Sequence, residues 1–126
     1  MEDINLTNSE WYVLDCLWEH SPRTVMELVA ALGGRLGWAK STTITTLRRM
    51  EDKGLVLCAV EGRGKRYSPA VQREQAVRGE TRSFLDKVYR GSVGLMVSAL
   101  AQDKALSKAE IDELYEILLK AEEGQK

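Results

Sequence analysis

The stretch Trp38-Ala39-Lys40-Ser41-Thr42-Thr43-Ile44-Thr45-Thr46-Leu47-Arg48-Arg49-Met50-Glu51-Asp52-Lys53-Gly54 has the pattern of a short helix with hydroxyls and arginines on one side. Leu47 and Met50 set its inward face, with Thr43 and Ile44 as flanks. Residues 41, 45, 48 and 52 follow one another along the outward side at helical spacing, and 42 and 49 lie beside them. Ser41, Thr42, Thr45, Arg48 and Arg49 are therefore expected to share a surface, and Lys40 and Thr46 complete the candidate contacts on this helix. Arginine pairs in bidentate fashion with guanine, and threonine offers its methyl to thymine or its hydroxyl to phosphate, so such a face suits the major groove of DNA. The alternative is a solvated helix whose arginines pair with Glu51 or Asp52.

Immediately downstream, Val56 to Val60 reads as a strand, and Glu61-Gly62-Arg63-Gly64-Lys65-Arg66-Tyr67 as a glycine-opened basic turn and a returning strand. Taken alone, this is a hairpin tip, because glycine supplies the positive φ angles that tight turns require. Placed directly after a basic helix, Arg63, Lys65 and Arg66 become candidate phosphate or minor-groove contacts. A helix able to read bases beside a hairpin able to grip phosphate is the outline of a winged helix-turn-helix domain.

Upstream, Thr7-Asn8-Ser9-Glu10 offers a capping box, followed by an apolar stripe of Trp11, Leu14, Cys16, Leu17 and Trp18. This first helix is expected to run to about Glu19. Ser21-Pro22 then interrupts the chain. Thr24-Val25-Met26-Glu27 is a second capping box, opening a helix through Leu32 that Gly33-Gly34 is expected to end. The third helix starts near Lys40 and stops before Gly54, a suitable left-handed cap. These readings predict a mainly α fold with a small β-hairpin, its winged-helix DNA-binding domain spanning residues 1–70.

Beyond it, Val77, Thr81, Phe84, Leu85 and Val88 recur at helical spacing between Val71 and Tyr89, with Arg73, Arg78 and Arg82 on the other face. Gly91 separates this helix from Ser92 to Ala101, an apolar segment without a charge. Ser107-Lys108-Ala109-Glu110 is a third capping box, and Ile111, Leu114, Ile117 and Leu118 form one face of the helix it opens. Three such helices are too thin for a separate globule. Residues 71–126 are therefore expected to form a C-terminal helical dimerisation region, with Phe84, Val88, Leu95, Met96, Leu100, Ile111, Leu114 and Leu118 between copies. The alternative is that these helices fold back over the first domain.

The 126 residues are 44% hydrophobic and 29% charged, the composition of a soluble globular protein with room for one ordinary domain and an appendage. The net charge of −1 conceals an asymmetry: residues 39–67 hold seven Lys or Arg against three acids, and residues 91–126 four lysines against seven acids. No apolar run approaches the roughly 18 residues of a spanning helix, and the start, Met1-Glu2-Asp3-Ile4-Asn5, is unlike a signal peptide. A cytoplasmic protein with no membrane insertion is expected. Cys16 and Cys58 sit among apolar residues and are expected to be buried free thiols. With His20 the sole histidine, soft ligands are too few for a metal site, and no cofactor is expected. No spaced set of acid, base and nucleophile can be assembled, which excludes an enzyme.

Four groups of residues carry a family resemblance: Leu6-Thr7-Asn8-Ser9-Glu10-Trp11-x-Val13-Leu14, Lys53-Gly54-Leu55-Val56, Phe84-Leu85-Asp86-Lys87-Val88-Tyr89-Arg90-Gly91, and Leu106-Ser107-x-x-Glu110-Ile111-x-Glu113-Leu114. Together they resemble the BlaI/MecI family of penicillinase and methicillin-resistance repressors over nearly the whole chain. The resemblance implies a homodimeric repressor with winged-helix heads on a palindromic operator of double-stranded DNA, joined through C-terminal helices. It further implies induction through a membrane sensor with a cytoplasmic zinc-protease domain, which cuts the repressor in the segment corresponding to Ser98-Ala99. Repressors known to be cut carry Asn-Phe at that bond, and this chain departs from it. It departs also at Thr43 and Thr46, where aliphatic residues are usual. The residues alone leave open a second class of function, a winged-helix protein-interaction module that meets an acidic partner without binding DNA.

Overall fold

A computed structural model describes residues 4–125 of the chain. Its elements run α1 (Asn8–Glu19), β1 (Arg23–Thr24), α2 (Val25–Leu36), α3 (Lys40–Asp52), β2 (Val56–Glu61), β3 (Gly64–Pro69), α4 (Arg73–Tyr89), α5 (Val93–Gln102) and α6 (Lys108–Gly124). The fold is mainly helical with a small antiparallel sheet, the winged-helix arrangement. Its internal contacts divide between Thr81 and Arg82 into two compact units.

In the first unit, local chemistry starts α1 and α2. The Thr7 hydroxyl accepts the Glu10 amide at 3.2 Å while the Glu10 carboxylate accepts the Thr7 amide at 2.8 Å. Thr24 and Glu27 repeat the exchange at 3.2 and 2.9 Å. The expected end of α2 at Gly33-Gly34 is corrected: the helix continues through both glycines to Leu36 and is capped by Gly37 at φ 69°. Glycine inside a helix costs only about 1 kcal/mol. The last turn is held from outside, because Arg35 donates to both carboxylate oxygens of Glu19 on α1, at 3.3 and 2.6 Å.

The sheet has the order β1-β3-β2, all antiparallel. The two-residue β1 has no strand pattern of its own; it exists because Arg23 and Thr24 pair with Tyr67 and Arg66. The β2–β3 register sets Glu61 opposite Gly64 and leaves Gly62-Arg63 as a two-residue loop. Gly62 takes φ 59° at its first position, as a turn matching the strand twist requires.

Val13, Leu14, Cys16 and Leu17 of α1, Leu28 and Leu32 of α2, Leu47 and Met50 of α3, and Leu55, Val56 and Tyr67 form one buried cluster. Cys16 is buried as expected. Cys58 is not: it is half-buried on β2, which lies at the edge of the sheet. Thr43 is completely buried in α3, and its hydroxyl finds no hydrogen-bond partner among the described residues. At Gly79, an added Cβ would stand 2.6 Å from the Ile4 carbonyl oxygen, so α4 passes the N-terminal segment at a distance open only to glycine.

In the second unit, Phe84 and Tyr89 meet edge to face with centroids 5.9 Å apart. Ser92 caps α5 through the Leu95 amide at 3.1 Å, and Ser107 and Glu110 close a capping box at the start of α6. Neither α5 nor α6 has a buried residue. Among the described residues no helix is long and apolar enough to cross a membrane.

Candidate nucleic-acid interface

The third helix is placed by its inward side. Thr43, Leu47 and Met50 go into the core, which turns Ser41, Thr42, Thr45, Arg48 and Arg49 outward and leaves all five exposed. Its first turn follows Ala39, which offers no side chain to cap the helix. The Ala39 carbonyl accepts the Thr42 and Thr43 amides at 3.0 and 3.3 Å, which leaves the Lys40 and Ser41 amides to an acceptor outside the protein, an arrangement suited to phosphate.

An open cleft of about 550 Å³ lies along this helix, lined by Thr7, Ser9, Glu10, Ser41, Thr42, Thr45, Thr46, Arg49 and Lys53. Ser41, Thr45, Arg49 and Lys53 recur at every fourth residue and form one ridge of the cleft. Thr46 is corrected as an outward contact. It is 8% exposed, and its hydroxyl donates to the Thr42 carbonyl at 2.7 Å, so it forms part of the cleft floor. Lys40 and Arg48 are exposed but do not line the cleft.

Arg48 and Arg49 pair with no carboxylate among the described residues, Glu51 and Asp52 included, and the same holds for Lys40, Arg63 and Lys65. Arg66 differs: its Nε lies 3.4 Å from a Glu61 carboxylate oxygen. The three wing cations are all exposed on the hairpin and lie outside the cleft. At the wing's root, burial, then the Cys58 thiol and the Glu51 carboxylate, push the Tyr67 hydroxyl up to about 12, so it stays neutral.

Glu10 and Lys53 were not among the candidate contacts read from sequence. Lys53 donates to the Glu10 carboxylate at 2.6 Å across the cleft. Burial pushes the Glu10 carboxyl upward, but the Lys53 and Thr7 hydrogen bonds outweigh it and leave it below its ordinary value. Lys53 could have been found by extending the four-residue ridge beyond Arg49; nothing local marks its partner, 43 residues away.

The remaining candidates lie in the second unit. Phe84, Val88, Leu95, Leu100, Ile111 and Leu118 are exposed, and Met96 and Leu114 are half-buried. Val97, Ala101, Leu106, Ile111, Leu114, Tyr115 and Leu118 line an almost wholly apolar groove of about 320 Å³ between α5 and α6. Ser98 is exposed and Ala99 half-buried, both inside the formed helix α5.

Residues 6–120 match the family described as penicillinase repressor. The chain is 31% identical over 113 residues to the penicillinase repressor of Bacillus licheniformis, covering 90% of this chain and 88% of that one. The solution structure of Bacillus licheniformis BlaI, monomeric and in complex with the blaP half-operator, is 26% identical with a TM-score of 0.52, over 59% of this chain and 90% of that one. MepR of Staphylococcus aureus, a transcription regulator of a multidrug efflux pump, has the same fold over 97% of this chain and 82% of its own, at 21% identity and a TM-score of 0.51.

Proposed function

This chain belongs to the penicillinase repressor family, whose members are transcriptional repressors and not enzymes, and on that premise we propose that it represses transcription by binding DNA with α3 and the wing. The observation that carries the reading is the row of outward hydroxyls and unpaired cations on α3, next in sequence to a hairpin that presents three more cations. Ser41, Thr42, Thr45, Arg48 and Arg49, with Lys40, are the base and phosphate contacts of the helix. Arg63, Lys65 and Arg66 grip the backbone from the wing. Residues 1–70 act as the DNA-binding head and the protein works in the cytoplasm.

Residues 71–126 join two copies on a palindromic operator. Fixing a residue's backbone costs roughly 1–2 kcal/mol, and α5 and α6 bury no residue against which to set that cost. A charge-free helix and the apolar groove beside α6 gain that burial from a second chain. Sedimentation of the full chain should give a dimer. A monomer at micromolar concentration would remove this part of the proposal.

Release from the operator follows cleavage in α5 at Ser98–Ala99 by a membrane sensor protease, which separates α6 from the rest of the chain. The bond lies mid-helix, so α5 must open locally before a protease can hold it extended. Gel shift with DNA from the chain's own promoter region tests repressor function. A retarded complex that fades as salt rises supports it; no complex with any adjacent DNA contradicts it.

A further inference from the structure

We propose that the Glu10–Lys53 ion pair is a positioning device that sets α3 against the start of α1, so that operator affinity depends on the pair although neither side chain contacts DNA. The inference rests on the DNA-binding reading above and deepens it.

Lys53 is the last residue of the ridge that carries Ser41, Thr45 and Arg49, and its backbone amide closes α3 on the Arg49 carbonyl at 3.0 Å. Its ammonium reaches one oxygen of Glu10 at 2.6 Å, while the other oxygen holds the Thr7 amide at 2.8 Å. One carboxylate thus ties the cap of α1 to the end of α3. Among the described residues this is the only side-chain hydrogen bond joining these two places; beneath it, Leu47 and Met50 of α3 share the buried apolar cluster with Val13, Leu14 and Leu17 of α1. Apolar packing has no preferred direction, so it leaves α3 freer to roll about its axis than a hydrogen bond does. A roll would move Arg49, four residues before Lys53, out of register with a groove.

The pair also accounts for a carboxylate in a cleft otherwise lined by hydroxyls and cations. Glu10 is 4% exposed there, and without compensation its charge would repel phosphate and be costly to bury. Lys53 supplies that compensation, which commits its ammonium to Glu10 and withholds it from DNA.

The test uses the full chain and its own promoter DNA, beside a duplex of scrambled sequence, with each protein held the same interval below its own melting temperature. The variants are Lys53→Met, Glu10→Gln, both together, and Lys53→Arg. Lys53→Met and Glu10→Gln should each weaken promoter binding about tenfold, the double variant no further than either, and Lys53→Arg should restore it. Binding to the scrambled duplex and the slope of log affinity against log salt should stay at their wild-type values. A direct phosphate contact gives the opposite pattern: Lys53→Met flattens the salt slope by about 0.9 and weakens both duplexes, while Glu10→Gln leaves promoter binding unchanged or tighter. That pattern overturns the proposal. Lys53→Met keeps the α1 capping box, so the comparison stands even where Glu10→Gln unfolds. Absence of wild-type binding to either duplex would instead remove the DNA-binding reading, and this inference with it.

Discussion

Trp18 donates its indole N–H to the Val71 carbonyl at 3.0 Å, fastening the last turn of α1 to the short link between β3 and α4. The same ring meets Trp11 edge to face, with centroids 5.4 Å apart. Trp18→Phe keeps an aromatic body in place and deletes the donor. A loss of about 1 kcal/mol is expected in urea unfolding, the net contribution of one such bond. An unchanged midpoint would mean that the Val71 carbonyl finds water equally well.

Thr43 is the reverse case, a buried hydroxyl with no hydrogen-bond partner among the described residues. Thr43→Val keeps the shape and removes the desolvated group, so stability should rise by about 1–3 kcal/mol. Destabilisation would show that the hydroxyl has a partner in solution.

Gly79→Ala sets two effects against each other. Helix propensity favours alanine by about 1 kcal/mol, but the new Cβ would stand 2.6 Å from the Ile4 carbonyl oxygen. Backbone must move, and overpacking of this kind costs roughly 1–3 kcal/mol. Net destabilisation is expected by thermal unfolding; a higher Tm would mean that the N-terminal segment shifts at no cost.

Glu10 gives a stability profile with a defined sign. Its carboxyl titrates below the ordinary 4.5 in the folded chain, so the charged form is favoured by folding. That contribution is complete above pH 4.5 and is lost as the pH falls through the folded value. Glu19, Glu27 and Glu110 are lowered too and behave alike in both proteins. The difference in unfolding free energy between wild type and Glu10→Gln should therefore shrink as the pH falls below 4.5. A difference independent of pH would mean that the carboxylate charge contributes nothing to stability.

Much of this fold is legible in the sequence because its signals are local. The boxes Thr7–Glu10, Thr24–Glu27 and Ser107–Glu110 each rest on residues three apart and all form. The Gly62 turn is likewise decided by its own residues. What escaped depends on distant partners. Gly33 and Gly34 read as a stop, but Arg35 holds the last turn to Glu19 and moves the stop to Gly37. β1 is a strand only because β3 pairs with it. In the candidate site, the outward hydroxyls and arginines followed from helical spacing. Thr46 sits one position too far round the helix, and the Glu10–Lys53 contact spans too many residues for any pattern to reveal.

The most direct test of DNA reading by α3 and the wing is fluorescence anisotropy of a labelled fragment of the chain's own promoter. It is titrated with wild type, Arg49→Ala and Arg63→Ala over a series of salt concentrations. Wild-type affinity should fall steeply with salt, by a slope of about −0.9 for each phosphate neutralised. Arg49→Ala should lose about 1–3 kcal/mol of discrimination against a scrambled duplex, and Arg63→Ala should weaken both duplexes alike with a flatter slope. Affinity insensitive to salt, or the same losses from both variants on both duplexes, would contradict the account.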